Sequence, residues 1–164
     1  MTRPMMGVAM VILLMAALAA GAEANKACGL LTAMELGGAL GGKVSTMAET
    51  KTGNPDVQVC MGKTSKASIL LRIAKGSGNS SNAAAKGVDI AKKMGAQVDV
   101  KTFGPITCST FIPPKNLEEY GFNTTCSVVK GAQVAAVEVT AKSSNDMVPI
   151  DKLRPLAEKT VNRF

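Results

Sequence analysis

The amino-acid sequence predicts a single α+β domain, a largely antiparallel sheet with helices packed on it. Three observations predict it. A helix-opening capping box stands at Thr32-Ala33-Met34-Glu35, apolar and polar residues alternate with a period of two through 67–75, and strand-like runs bounded by glycine and proline recur over 97–141. With further helical stretches near 82–94 and after Pro149, the order is helix, strands, helix, strands, helix, which describes an α+β domain.

The first 24 residues precede that domain and carry the three parts of a secretory signal. Arg3 is the basic start, 5–18 is almost wholly apolar and uncharged, and Ala22-Glu23-Ala24 has the small-x-small form that signal peptidase accepts. Cleavage after Ala24 leaves 25–164. As a membrane anchor the stretch is marginal, barely reaching the ~18–20 residues that span a bilayer and being rich in Ala and Gly. Asn25-Lys26-Ala27 is too polar for the run that a lipoprotein signal places before its cysteine, so Cys28 is not expected to carry a lipid. No second apolar span follows. The mature domain is therefore expected to be soluble, without transmembrane anchoring, and periplasmic or secreted.

Within 25–164 the elements follow in order. The Thr32 hydroxyl is placed to accept the Glu35 amide, and the Glu35 carboxylate to accept the Thr32 amide, which opens a helix over 33–40. Leu31 and Leu36 stand where a hydrophobic staple fixes its entry, and Gly41-Gly42 stops it. A short strand is expected at 43–48, then a loop at Thr52-Gly53-Asn54-Pro55. A hairpin of 56–61 and 67–75 follows, joined by 62–66, with Ile69, Leu71 and Ile73 on its core face.

The Gly/Ser/Asn linker 76–81 leads to a helix over 82–94, capped by Ser80 or Ser81 and ended by Gly95. Ala84, Val88 and Ala91 form a narrow stripe with Ile90 and Met94 beside it, which implies close packing on a sheet. Strands are expected at 97–103, 106–111, 122–129 and 133–141. Pro105 and Pro113-Pro114 bound the second, and a tight Lys130-Gly131 turn joins the last two. A final helix starts at 149–152, where Pro149 and Asp151 suit a first turn. Pro155 is tolerable only close to that start, and Leu153, Leu156, Ala157, Val161 and Phe164 form the buried face.

The domain has no Trp, no His, one Tyr and four Phe, so Leu, Ile, Val, Met and Ala must build its core. Loss of the signal removes one Arg and one Glu and leaves the formal charge at +7. All four cysteines, Cys28, Cys60, Cys108 and Cys126, lie in the mature part, and an even count in an exported chain reads as two disulfides. Three pairings are open. Order along the chain favours Cys28–Cys60, pinning the first helix to the following hairpin, and Cys108–Cys126, facing each other across paired strands. Each loop would stabilise by about 3 to 4 kcal/mol on the chain-entropy model. Zinc fails on spacing, since no two cysteines are close enough for a knuckle and histidine is absent.

Cys28-Gly29-Leu30-Leu31-Thr32-Ala33-Met34-Glu35, followed by Ala39-Leu40-Gly41, resembles the opening of small exported bacterial proteins of uncharacterised function. Those share a Cys-x-Leu-Leu-Thr-x-x-Glu box before a helix and a second cysteine in the next strand, as Cys60 stands here. Their strand, Lys-Gly turn, strand and C-terminal helix also match the pattern around Lys130-Gly131. The resemblance implies a PsbP-like α/β sandwich, and it transfers a fold rather than an activity. This chain departs in lacking a lipobox and in adding the pair Cys108 and Cys126.

The residue inventory argues against catalysis. Without histidine there is no His-based triad or metal centre. Glu118-Glu119 is bounded by Pro113-Pro114 and Gly121 and reads as a solvated loop, not as carboxylates set across a cleft. No Cys-x-x-Cys supplies an exchange thiol, and Gly37-Gly38 and Gly41-Gly42 lack the Gly-Lys-Ser/Thr ending of a phosphate loop. No catalytic residue, metal or cofactor is nominated.

Two functional readings follow. The first is a non-enzymatic binding or accessory protein of the bacterial envelope, contacting a protein or small ligand. The second is a binder of an anionic envelope component (cell-wall polymer, lipid headgroup or nucleic acid) through Lys63, Lys66, Arg72, Lys75, Lys86, Lys92 and Lys93. Interspersed acids and Ser/Asn residues favour a solvated face, and the aromatic interleaving that stacks bases is missing. In Tyr120-Gly121-Phe122 the aromatics read as a core plug under a loop. The oligomeric state is left open.

Overall fold

The computed structural model describes residues 26–76 and 80–164. The expected signal peptide and its cleavage site lie outside the described residues. So do most of the 76–81 linker and the side chains of Ser80, Ser81 and Ala84, on which the cap and part of the small-residue stripe rested.

Seven strands form one antiparallel sheet in the order β1-β2-β3-β7-β6-β5-β4. They are β1 (Ala48–Thr50), β2 (Val57–Lys63), β3 (Ala67–Lys75), β4 (Gln97–Phe103), β5 (Ile106–Ile112), β6 (Phe122–Lys130) and β7 (Gln133–Ala141). The helices are α1 (Ala33–Leu40), α2 (Ser80–Lys93) and α3 (Ile150–Thr160). Short 3-10 turns lie at Lys26–Gly29, Lys115–Tyr120 and Ser144–Asp146. This is the antiparallel α+β architecture read from the sequence.

Strand alternation sends Ile69, Leu71 and Ile73 to one face, together with Val137, Val139, Cys126 and Val128 from the neighbouring strands. That face meets Leu30, Leu31 and Leu36 from the α1 region and Leu153, Leu156 and Ala157 from α3. Thr124, fully buried there, donates its hydroxyl to the Val148 carbonyl at 2.6 Å, which satisfies a polar group that would otherwise be costly in the core.

α1 begins as its sequence dictates. Glu35 N donates to the Thr32 hydroxyl and Thr32 N donates to the Glu35 carboxylate, and Gly41 closes the helix at φ 70°. Gly121, at φ 87°, lets the chain enter β6 against β7. A Cβ there would come within 2.6 Å of Thr140 Cγ2 and 2.9 Å of the Ala141 carbonyl. Phe122 beyond it plugs the core, whereas Tyr120 is exposed.

Five expectations are corrected. The strand expected at 43–48 is displaced to the three residues of β1. Ser45 instead uses its own hydroxyl to accept the Lys63 amide, while its amide donates to the Lys63 carbonyl, so the chain there is tied to β2 without a regular ladder. The β2–β3 turn is tighter than expected, with Gly62 and Lys63 inside β2 and Thr64 capping the bend. Ile90 and Met94 of the α2 region are mostly exposed and do not complete the close packing expected of that helix. Pro155 is the sixth residue of α3, not part of its first turn. It is carried there because Leu153, Leu156 and Ala157 around it are buried. The Asp151 carbonyl it leaves unpaired belongs to an exposed residue, where water can serve it. Thr160 is buried beside them, while Val161 and Phe164 are only half-buried.

Candidate functional site

The cysteines pair as order along the chain favours. Cys28 is bonded to Cys60 and Cys108 to Cys126. Cys108 and Cys126 are direct ladder partners on β5 and β6, and both point into the core. Cys60, Cys108 and Cys126 have no exposed surface. All four thiols are thereby committed, and none is left as a metal ligand or attacking thiolate.

The most strongly perturbed titratable group is Glu35. Arg163 grips its carboxylate with two guanidinium bonds of 2.8 and 2.9 Å, and Lys159 stands 3.7 Å away. The Arg163 bonds, with the Thr32 amide, hold its pKa at about 2 despite partial desolvation. Arg163 also donates to the Leu30 carbonyl. These groups lock the start of α1 to the turn after α3. The acid is ionised, saturated with donors and faces no nucleophile, so the cluster is a clamp.

The basic residues nominated from the sequence are distributed over several elements. Lys66, on the β2–β3 turn, pairs with Asp146 at 2.7 Å, which raises its pKa and lowers that of Asp146. Lys75, at the end of β3, pairs with Asp56 at 2.8 Å. Lys63 and Arg72 project from the sheet face opposite the helices, while Lys86, Lys92 and Lys93 lie exposed on α2. Glu118 and Glu119 both lie in the 3-10 turn before Gly121, outside the core.

That opposite face is partly exposed. Register places rows of side chains across it. One runs Thr102, Thr107, Ser127, Ala136, Arg72 and Val59. The next runs Ser109, Thr125, Glu138, Leu70 and Met61. Its polar part is organised. Asn123 Nδ2 donates to Glu138 at 2.6 Å and to Thr140 Oγ1 at 3.1 Å, and Thr125 Oγ1 donates to Asn123 Oδ1 at 2.7 Å. The polar residues Asn123, Thr125, Glu138 and Thr140 within otherwise apolar strands are the signal the sequence carried of this network, and sequence reasoning did not single it out. Hydroxyls, an amide and one carboxylate can orient a bound group, but no nucleophile here is paired with a base.

Two open grooves lie at the β1 end. One, of ≈ 330 Å³, is lined by Glu49, Lys51, Asn54 and Gln58, and the other, of ≈ 300 Å³, by Lys26, Asp56, Lys75 and Gln133. Both are polar, and neither gathers a group of metal-ligating side chains. Among the described residues no helix is long and apolar enough to cross a membrane.

No protein-family model matches the chain, and no curated protein matches it. Among solved structures, it is similar to the solution structure of cyanobacterial PsbP (CyanoP) from Synechocystis sp. PCC 6803. The two share 9% identity at a TM-score of 0.41, over 71% of this chain and 78% of that one. At that level no function, ligand or site passes from one protein to the other.

Proposed function

We propose that the chain is an exported, disulfide-stapled binding or accessory protein of the bacterial envelope, without catalytic chemistry of its own. The observation that carries this reading is the pair of disulfides, with Cys60, Cys108 and Cys126 wholly enclosed by the core. Bridges so placed act as staples rather than exchange centres, and they persist in oxidising compartments. The signal-like 1–24 segment supplies the route to such a compartment. The working surface is the half-exposed sheet face with its Asn123–Glu138–Thr140 network, which offers hydrogen-bonding groups without a nucleophile–base pair. The alternative reading, binding of an anionic component, draws on the charge of +7 and on the positions of Lys63 and Arg72 on that face. Lys66 and Lys75 are already engaged by acids.

Intact mass of the protein purified from its native host, before and after reduction and alkylation, tests the proposal. The expected mass is that of 25–164 less four hydrogens, with four alkyl groups gained only after reduction. An uncleaved chain, or thiols that alkylate without reductant, would overturn it.

A further inference from the structure

β4 is an edge strand, paired to β5 on one side and, among the described residues, to no strand on the other. It is also bare. Gln97, Asp99, Val100, Lys101 and Thr102 are exposed, and Val100 retains 45% of its surface. It is seven residues long, without proline, glycine or bulge, and of the usual devices that stop an edge from recruiting another strand it carries only charges, Asp99 and Lys101.

The hairpin geometry decides which backbone groups are free. Phe103 and Ile106 close a two-residue Gly104-Pro105 loop, with Gly104 at φ 59°. In such a hairpin the closing pair exchanges hydrogen bonds. By alternation Phe103, Lys101, Asp99 and Gln97 then address β5, and Val98, Val100 and Thr102 present their amides and carbonyls outward. A second strand must therefore hydrogen-bond to those three.

We propose that this edge pairs with the same edge of a second copy of the chain, antiparallel, about a two-fold axis through Val100. Charge selects that register. With Val100 opposite Val100, each Val98 faces Thr102, and Asp99 of each copy stands opposite Lys101 of the other. Pairing in the adjacent permitted registers would instead set Asp99 against Asp99 or Lys101 against Lys101. Opposite charges across a ladder stabilise and like charges destabilise, so the strand is complementary to itself in one register only. Within one copy Asp99 and Lys101 make only a loose, exposed contact at 3.7 Å, which leaves both available. The contact is isologous and closed, and it joins the two sheets into one.

Sedimentation equilibrium of the exported, oxidised protein tests this across a concentration series. The expected result is a concentration-dependent dimer. Lys101→Glu should weaken it roughly tenfold or more, because symmetry turns two attractive pairs into two repulsive ones. The swap Asp99→Lys with Lys101→Asp should restore it, since it rebuilds the same pairs in reverse. Val100→Pro should abolish dimerisation by removing an outward amide, while the β5 ladder and the circular dichroism spectrum are kept. A protein monomeric at every concentration overturns the proposal. So does a dimer indifferent to Lys101→Glu, or one that the double swap fails to restore. The charge variants leave the backbone untouched, which keeps the test decisive if Val100→Pro unfolds.

Discussion

The two edges of the sheet are built on opposite plans. β1 has three residues, against seven for β4. Behind β1 the chain is tied repeatedly: Ser45 to Lys63, Thr52 Oγ1 to the Asn54 and Val57 carbonyls, Lys26 N to Gln58, and Cys28 to Cys60 on the adjacent strand. Beyond β4 the described residues provide no further strand, and the exposed Asp99 and Lys101 flank an equally exposed Val100. One edge is closed by brevity and cross-links, and the other is left long and charged. The difference teaches where free energy is concentrated. The β1 side is held by a disulfide to the turn before α1, while the β4 side is held by its ladder to β5, by the disulfide one strand further in and by Arg154 of α3, which stands 4.9 Å over the Phe103 ring.

Breaking the staples should produce the largest effects and should rank the two sides. Cys28–Cys60 spans 32 residues and Cys108–Cys126 spans 18. On loop entropy alone, the paired serine variants are expected to lose about 3.7 and about 3.2 kcal/mol, respectively. The Cys28→Ser/Cys60→Ser variant should also loosen α1 and β2 in hydrogen exchange, because Cys28 holds the turn that precedes α1. Cys108→Ser/Cys126→Ser joins strands already held by ladder bonds, so it should leave α1 protected. Urea midpoints and exchange on both variants check this. Equal loosening of α1 would mean that the β1 side is not independently secured.

Much of this was legible in the sequence, for a physical reason. The Thr32–Glu35 box, the alternation of β3, the Gly41 stop and the strand limits 97–103 and 133–141 depend on residues close together in the chain. The disulfide pairing was legible because both bridges join consecutive cysteines. Features set by distant partners were not. Ser45 substitutes a side chain for a strand, and Pro155 sits mid-helix because the surrounding α3 residues are buried. Arg163 reaches Glu35 across 128 residues. The hydrogen-bonded sheet face needed the β6–β7 register before Asn123, Glu138 and Thr140 became neighbours.

Acid should weaken the clamp through Glu35. Glu35 has its pKa lowered from 4.5 to about 2, so the folded state favours the ionised carboxylate. Its stabilisation is complete above the unfolded value of 4.5 and is lost as pH falls toward about 2. Because Arg163 is 37% exposed, solvent screening discounts the loss to about 1 to 2 kcal/mol. Glu35→Gln should show that loss at neutral pH and a flatter profile between pH 4.5 and 2, since glutamine can still complete the capping box. Thermal melts of both proteins across that window decide it. Parallel profiles would assign the acid sensitivity elsewhere.

The smallest effect is expected at β4, where one chemical change can be set against itself. Val137, on β7, has no exposed surface, whereas Val100 keeps 45% of its own. Valine to threonine conserves shape but adds a hydroxyl, so the cost depends on whether water can reach it. At 137 the hydroxyl enters the core, and a loss of about 1 to 2 kcal/mol is expected. At 100 it stays hydrated on a β-branched residue that suits a strand, and stability should stay within about 0.5 kcal/mol. Urea unfolding at a concentration low enough to keep the protein monomeric isolates the comparison. A Val100→Thr cost matching that of Val137→Thr would mean that the β4 edge is covered in solution even in the single chain, and the contrast between the two edges would fail.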